Sequence, residues 1–131
     1  MDRHETWLTA LGRLLISAIF LWDVPELLGS PADAIAFISA SALPFPKLAY
    51  LGAVAVELVG GIALLVGWRA RWAAAALALF CFATAAFFHT DFANPDMKIH
   101  FLKNLAMAGG LLQIVARGAG GWSLDARVGR P

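Results

Sequence analysis

Charge is scarce in this sequence. Of its 131 residues only 15% are Asp, Glu, Lys or Arg, where a soluble domain carries about a quarter. That shortage excludes an ordinary water-soluble enzyme, which would lack the charged groups to cover its surface. There is no basic excess: ten Lys and Arg stand against nine Asp and Glu, a net charge of +1. A surface built to neutralise nucleic-acid phosphates is therefore excluded. Cysteine is nearly absent. The single Cys81 excludes an intrachain disulfide, a thiolate metal cluster and a C-x-x-C redox cycle. Within its apolar surroundings it reads as a structural thiol.

What the sequence has instead is apolar length. Sixty per cent of it is hydrophobic, which excludes disorder. Residues 72–90 hold no formally charged side chain, and crossing a hydrocarbon core takes about 20 helical residues. The run is rich in Ala and Leu and poor in β-branched residues, which favours helix. Three similar runs are interrupted by isolated polar groups. The sequence therefore predicts spans at about 7–28, 48–67, 72–89 and 99–116 within one domain. The fold class is all-α: an integral membrane antiparallel four-helix bundle, with a short interfacial helix between the first and second spans. The first span is expected to stay uncleaved, because no clean A-x-A site follows it.

The connections support this division. Residues 67–71 are long enough only for a tight hairpin turn. Asn94-Pro95 offers a helix cap before the fourth span. Ser30-Pro31 starts a short helix running towards Ala42, stopped by Leu43-Pro44-Phe45-Pro46. Residues 117–131, rich in Gly and Arg, read as a flexible basic tail on an anionic membrane surface. Four spans put Arg3, Arg13, Arg69, Arg71, Arg117, Arg127 and Arg130 on one side, against Lys47, Lys98 and Lys103 on the other. The positive-inside rule then places both termini on the cytoplasmic side of the membrane that the chain crosses several times.

Ionisable groups within spans are expensive and mark function or a paired structural network. Glu57 lies near the middle of the second span, on a face with Ala53, Gly60, Gly61 and Leu64. In the fourth span His100, Lys103, Asn104 and Met107 recur at helical spacing on one face. Topology brings Asp23, Glu26, His89, Asp91, His100, Lys103 and Asn104 to the outer end, with Glu57 beneath them. Lys103 either turns in towards Glu57 or reaches out to the interface. This cluster is the candidate ligand or proton-relay pocket. One reading is a network that only fixes helix register. Another is a pocket for a small apolar molecule with a polar head, such as a quinone, entering from lipid. No H-x-x-x-H or E-x-x-H pair is present, so a metal is not expected.

The order His89-Thr90-Asp91-Phe92, Asn94-Pro95-Asp96-Met97 and His100-Phe101-Leu102-Lys103-Asn104 resembles the DoxX family of small bacterial membrane proteins. Gly12-Arg13-Leu14-Leu15, Leu43-Pro44 and Glu57-Leu58-Val59-Gly60-Gly61 add to the resemblance, which covers residues 8–116. It implies a four-helix inner-membrane bundle, an accessory role in quinone-linked oxidoreduction beside an oxidoreductase partner subunit, and a shared role for Glu57, His100, Lys103 and Asn104. Relatives commonly end the first span with a small residue-Gly-x-x-Lys pattern. Here Asp23 and Glu26 stand in place of the glycine and lysine, so a basic site has become acidic. The alternative to a redox accessory is a non-enzymatic binder or transporter of a small hydrophobic molecule, or a membrane scaffold. A homo-oligomer and contact with membrane lipid fit either reading.

Overall fold

The computed structural model describes residues 2–130. Helix α1 runs Arg3–Gly29. It begins with a capping box in which the Asp2 side chain accepts from the Arg3 N–H and Glu5 reaches back to the Asp2 N–H. Pro25 lies inside it; proline has no N–H, so the carbonyl one turn earlier, on Leu21, loses its helical donor. Helix α2, Pro31–Ser39, follows at once, with Pro31 in its first turn.

The second span, Pro46–Val66, is one helix in three parts. Helix α3 is Pro46–Ala55, a π-turn covers Val56–Gly60, and α4 is Gly61–Val66. A left-handed turn carries the chain into α5, Ala70–Phe88, with Gly67 at φ 69° and Arg69 at φ 45°. Helix α6, Pro95–Arg117, is capped by Asn94, whose side chain accepts from the Asp96 N–H at 3.0 Å. Four helices are thus long and apolar enough to cross a membrane, and a helix satisfies most of its backbone internally, as a hydrocarbon solvent requires.

Small residues set the packing. A Cβ on Gly61 would come within 2.8 Å of Leu21 Cδ2, and one on Gly60 within 3.1 Å of Leu77 Cγ. Glycine at both positions lets the second span lie directly against α1 and α5. The core is Phe20, Leu64, Ala74, Leu77, Ala78, Cys81, Ala108 and Leu111. Cys81 is fully buried there, as a structural thiol should be. Large apolar side chains such as Trp22 (78% exposed) and Leu79 (70%) point outward, the surface a lipid-facing protein needs. Helix α2 closes one end. Phe37 stacks on Phe88 with ring centroids 5.3 Å apart, and Ile38 is buried. Beside it the Tyr50 hydroxyl donates to the Leu27 carbonyl at 2.9 Å, near the C-terminus of α1, where carbonyls lack intrahelical partners.

The segment after Arg117, expected to be a flexible basic tail, is folded against the other end. Gly118, Ala119, Ser123 and Asp125 are buried, and a short helix α7 covers Leu124–Arg127. Both carboxylate oxygens of Asp125 accept backbone N–H groups at the start of α5, from Arg69 at 2.7 Å and Ala70 at 2.8 Å. The Asp125 N–H donates to the Gly67 carbonyl at 2.9 Å. From α1, the buried Arg13 donates to the Trp122 carbonyl. The glycines that suggested flexibility allow close approach instead, since a Cβ on Gly121 would meet Thr6 of α1 at 3.1 Å.

Candidate functional site

The site begins with the π-turn. Hydrogen bonds that skip one residue further than in an α-helix widen the backbone locally, and such turns concentrate at functional positions. Glu57 sits in this turn and is 4% exposed, yet its Oε2 has no hydrogen-bond partner. A buried acceptor left unpaired costs free energy, so the arrangement holds an unmet demand for a donor.

Two cavities meet at this carboxyl group. One, of about 260 Å³, lies beneath α2 and is almost wholly apolar, with Leu27, Phe37, Ile38 and Phe88 among its walls. The other, of about 300 Å³, is polar along one side, where α6 supplies His100, Lys103 and Asn104. Asp23, Glu57, Phe80, Thr84 and His89 line both. The Asp23 carboxyl group of α1 lies within hydrogen-bond reach of the Glu57 carboxyl group, so the two can share one proton, while Glu57 Oε2 is left unpaired.

The helical spacing of His100, Lys103, Asn104 and Met107 does place all four on one cavity wall. Lys103 Nζ is 3.1 Å from His100 Nδ1, so the lysine is joined to a residue of its own helix. The Asn104 side-chain amide donates to the His100 carbonyl at 3.0 Å. The imidazoles of His89 and His100 stack with centroids 5.1 Å apart, which brings the ends of α5 and α6 together. His89 Nδ1 is a second buried atom without a partner. Glu26 and Asp91 stand apart. Glu26 is exposed and faces a shallow depression with Asp33. Asp91 is exposed in the turn and accepts from the Ala93 N–H at 3.3 Å. Among the described residues no group of three His, Cys, Asp or Glu is placed to hold a metal ion.

His89 lies just beyond the end of α5. Burial, with the nearby His100 and Lys103 adding to it, holds its imidazole below the ordinary histidine range. The unfolded chain therefore binds this proton more readily than the folded one. Stability is complete above the unfolded value of about 6.5 and is lost as the pH falls from there through the folded value. Thermal unfolding of the purified protein from about pH 8 to pH 5 should show this loss, and His89→Phe, which keeps a ring for stacking, should flatten it. An unchanged pH slope in that variant would assign the effect to another group.

Comparisons with known proteins agree with this architecture. Residues 8–90 match the DoxX family. The chain is 38% identical over 72 residues to the inner membrane protein YqjF of Escherichia coli strain K12, a match covering 55% of each chain. It thus spans about half the length of that relative. It is 28% identical over 127 residues to the inner membrane protein YphA of the same strain, covering 92% of this chain and 89% of the other. No solved structure matches. Four long apolar helices around a partly polar pocket define a small multi-pass inner-membrane protein. The chain belongs to the DoxX family. Its family match ends at residue 90, before the His100 to Asn104 block on which the sequence resemblance leaned most.

Sequence reasoning missed the π-turn, since a wide turn has the same composition as an α-helix. It also missed Phe80 as a wall shared by both cavities, because an aromatic residue in a span is ordinarily packing or lipid-facing surface.

Proposed function

We propose that this protein binds a small molecule with an apolar body and a hydrogen-bonding head, and that a membrane quinone in its reduced form is the class that fits best. The observation that carries the reading is the buried, unpaired Oε2 of Glu57, a residue on the wall shared by two neighbouring cavities, one apolar and one polar. The apolar body belongs beneath α2, between Phe37, Ile38 and Phe88. The head belongs beside Glu57 Oε2 and His89 Nδ1, the two unpaired atoms on the wall that the cavities share. A phenolic hydroxyl donates to a carboxylate oxygen, and a second one suits an imidazole nitrogen. Such a group supplies the exchange of two electrons together with two protons. The protein's part is to orient the head, exclude water beneath α2, and hold a proton at Glu57 or its neighbour Asp23, from which His89 and His100 lead towards solvent.

In this reading the four spans form an antiparallel bundle with α2 at the outer membrane interface and both termini cytoplasmic. The arginines at the terminal end support that orientation. Redox chemistry would then require an oxidoreductase partner subunit, to which this chain is accessory. The acidic pair Asp23 and Glu26 argues against an anionic substrate.

Titration of the purified protein with a short-chain ubiquinol tests the reading. Binding should saturate, and Lys103→Met should weaken it by roughly threefold, since Lys103 acts through His100 at the polar rim. Absence of saturable binding at any accessible concentration would reject it.

A further inference from the structure

The other side of the π-turn carries a second recess, independent of the cavities that meet at Glu57. Val56, Val59 and Gly60 form one wall and Ala73 and Ala76 of α5 the other, enclosing about 400 Å³ of almost wholly apolar groove. The groove follows the second span from Ala55 to Ala63, about 12 Å at the helical rise. At its mouth stand Trp68, Trp72 and Arg69.

There the groove meets another cavity, of about 230 Å³. Arg69 and Trp72 line both, and the second adds Arg71, Arg130 and Asp125. Three arginines and one aspartate line it. Both carboxylate oxygens of the aspartate are taken by the Arg69 and Ala70 N–H groups. Arg71 donates to the Val115 and Ala116 carbonyls at 2.9 Å while still lining the cavity. Arg69 lies over the Trp68 ring at 5.6 Å, and Arg130 is tied in through its own N–H to the Asp125 carbonyl at 2.8 Å.

A recess that is basic at its mouth and apolar along its length matches a molecule with an anionic head and a hydrocarbon tail. We propose that it binds one anionic phospholipid, with the phosphate against Arg69 and Arg130 and an acyl chain lying between the π-turn and α5. Charge decides against a second copy of the chain as the occupant. A two-fold contact through this face would bring each copy's arginines against the same arginines of its partner.

Native mass spectrometry of the full chain in detergent tests this, with dioleoylphosphatidylglycerol against dioleoylphosphatidylethanolamine and dioleoylglycerol. The anionic lipid should be retained at one equivalent and roughly tenfold more strongly than either of the others. Ala76→Leu, which fills the groove from an exposed position, should abolish retention while the helical circular dichroism stays unchanged. Arg69→Asn keeps a residue that tolerates the left-handed backbone and should remove the preference for the anionic lipid over the zwitterionic one. Equal retention of all three lipids, or unaltered retention in Ala76→Leu, would overturn the proposal. So would a dimer that Ala76→Leu dissociates, since it would show the groove to be filled by another chain.

Discussion

Replacing Glu57 by Leu should abolish quinol binding while leaving the melting temperature of the protein unchanged or raised. The two outcomes are tied to one fact, that Glu57 is buried with Oε2 unpaired. Burying an unsatisfied acceptor costs about 1–3 kcal/mol, and replacing a buried polar or charged group by an apolar residue of similar size is commonly neutral or stabilising. A buried group that costs stability is explained by what it does, the usual trade between activity and stability. Glu57→Gln keeps the shape and one acceptor and should bind more weakly than the wild type but better than Glu57→Leu. Equilibrium binding and differential scanning calorimetry in the same detergent separate the alternatives. A large fall in melting temperature for Glu57→Leu would show the carboxyl group to be a strut of the bundle and would remove its functional assignment.

Asp125→Ala should cost about 3 kcal/mol of stability. The substitution removes an acceptor from each of two backbone N–H groups at the start of α5, at 2.7 and 2.8 Å; loss of a cap alone costs about 1 kcal/mol. It also removes the negative charge that acts on Arg13, a guanidinium already buried with Nε and Nη1 unpaired. Leaving a buried charge without its counter-charge is the costlier part. Asp125→Asn, which keeps one acceptor and loses the charge, should fall between. Unfolding in a graded detergent mixture measures the difference, and wild-type stability in Asp125→Ala would show that the folded C-terminal segment contributes little.

The sequence was most informative where a single physical requirement acts over many residues. Hydrocarbon solvent demands about 20 apolar residues per crossing, and that rule located four spans. Their observed ends, such as Pro95 rather than Ile99 for α6, depend on caps and on helical residues extending past the apolar run. Helical spacing likewise sufficed to align His100, Lys103, Asn104 and Met107 on one face. It could not show which elements lie opposite. Asp23 and Glu57 line the same cavities although α1 and the second span meet only through tertiary packing, and Gly61 against Leu21 is what permits it. Asp91 and Glu26 were placed at the correct end by topology yet point elsewhere, because nearness to a pocket does not fix a side chain's direction. The C-terminal segment was misjudged on composition. Glycine and arginine resemble a disordered basic tail, and only the fold reveals that the N–H groups at the start of α5 await an acceptor such as Asp125.

The π-turn works as a change of phase along the second span. It spends one more residue than an α-helical turn would, so the faces of α3 and α4 are offset by roughly 100° from where an uninterrupted helix would put them. The direction of Glu57 relative to Gly61 and Leu64 is consequently set by the number of residues between 56 and 60, as much as by their identities. Loss of a single residue there would leave the acidic side chain in the sequence and the apolar span intact by every measure of hydropathy. The carboxyl group would nonetheless face a different quadrant. Among relatives, the length of this short stretch is therefore as telling as the presence of the glutamate.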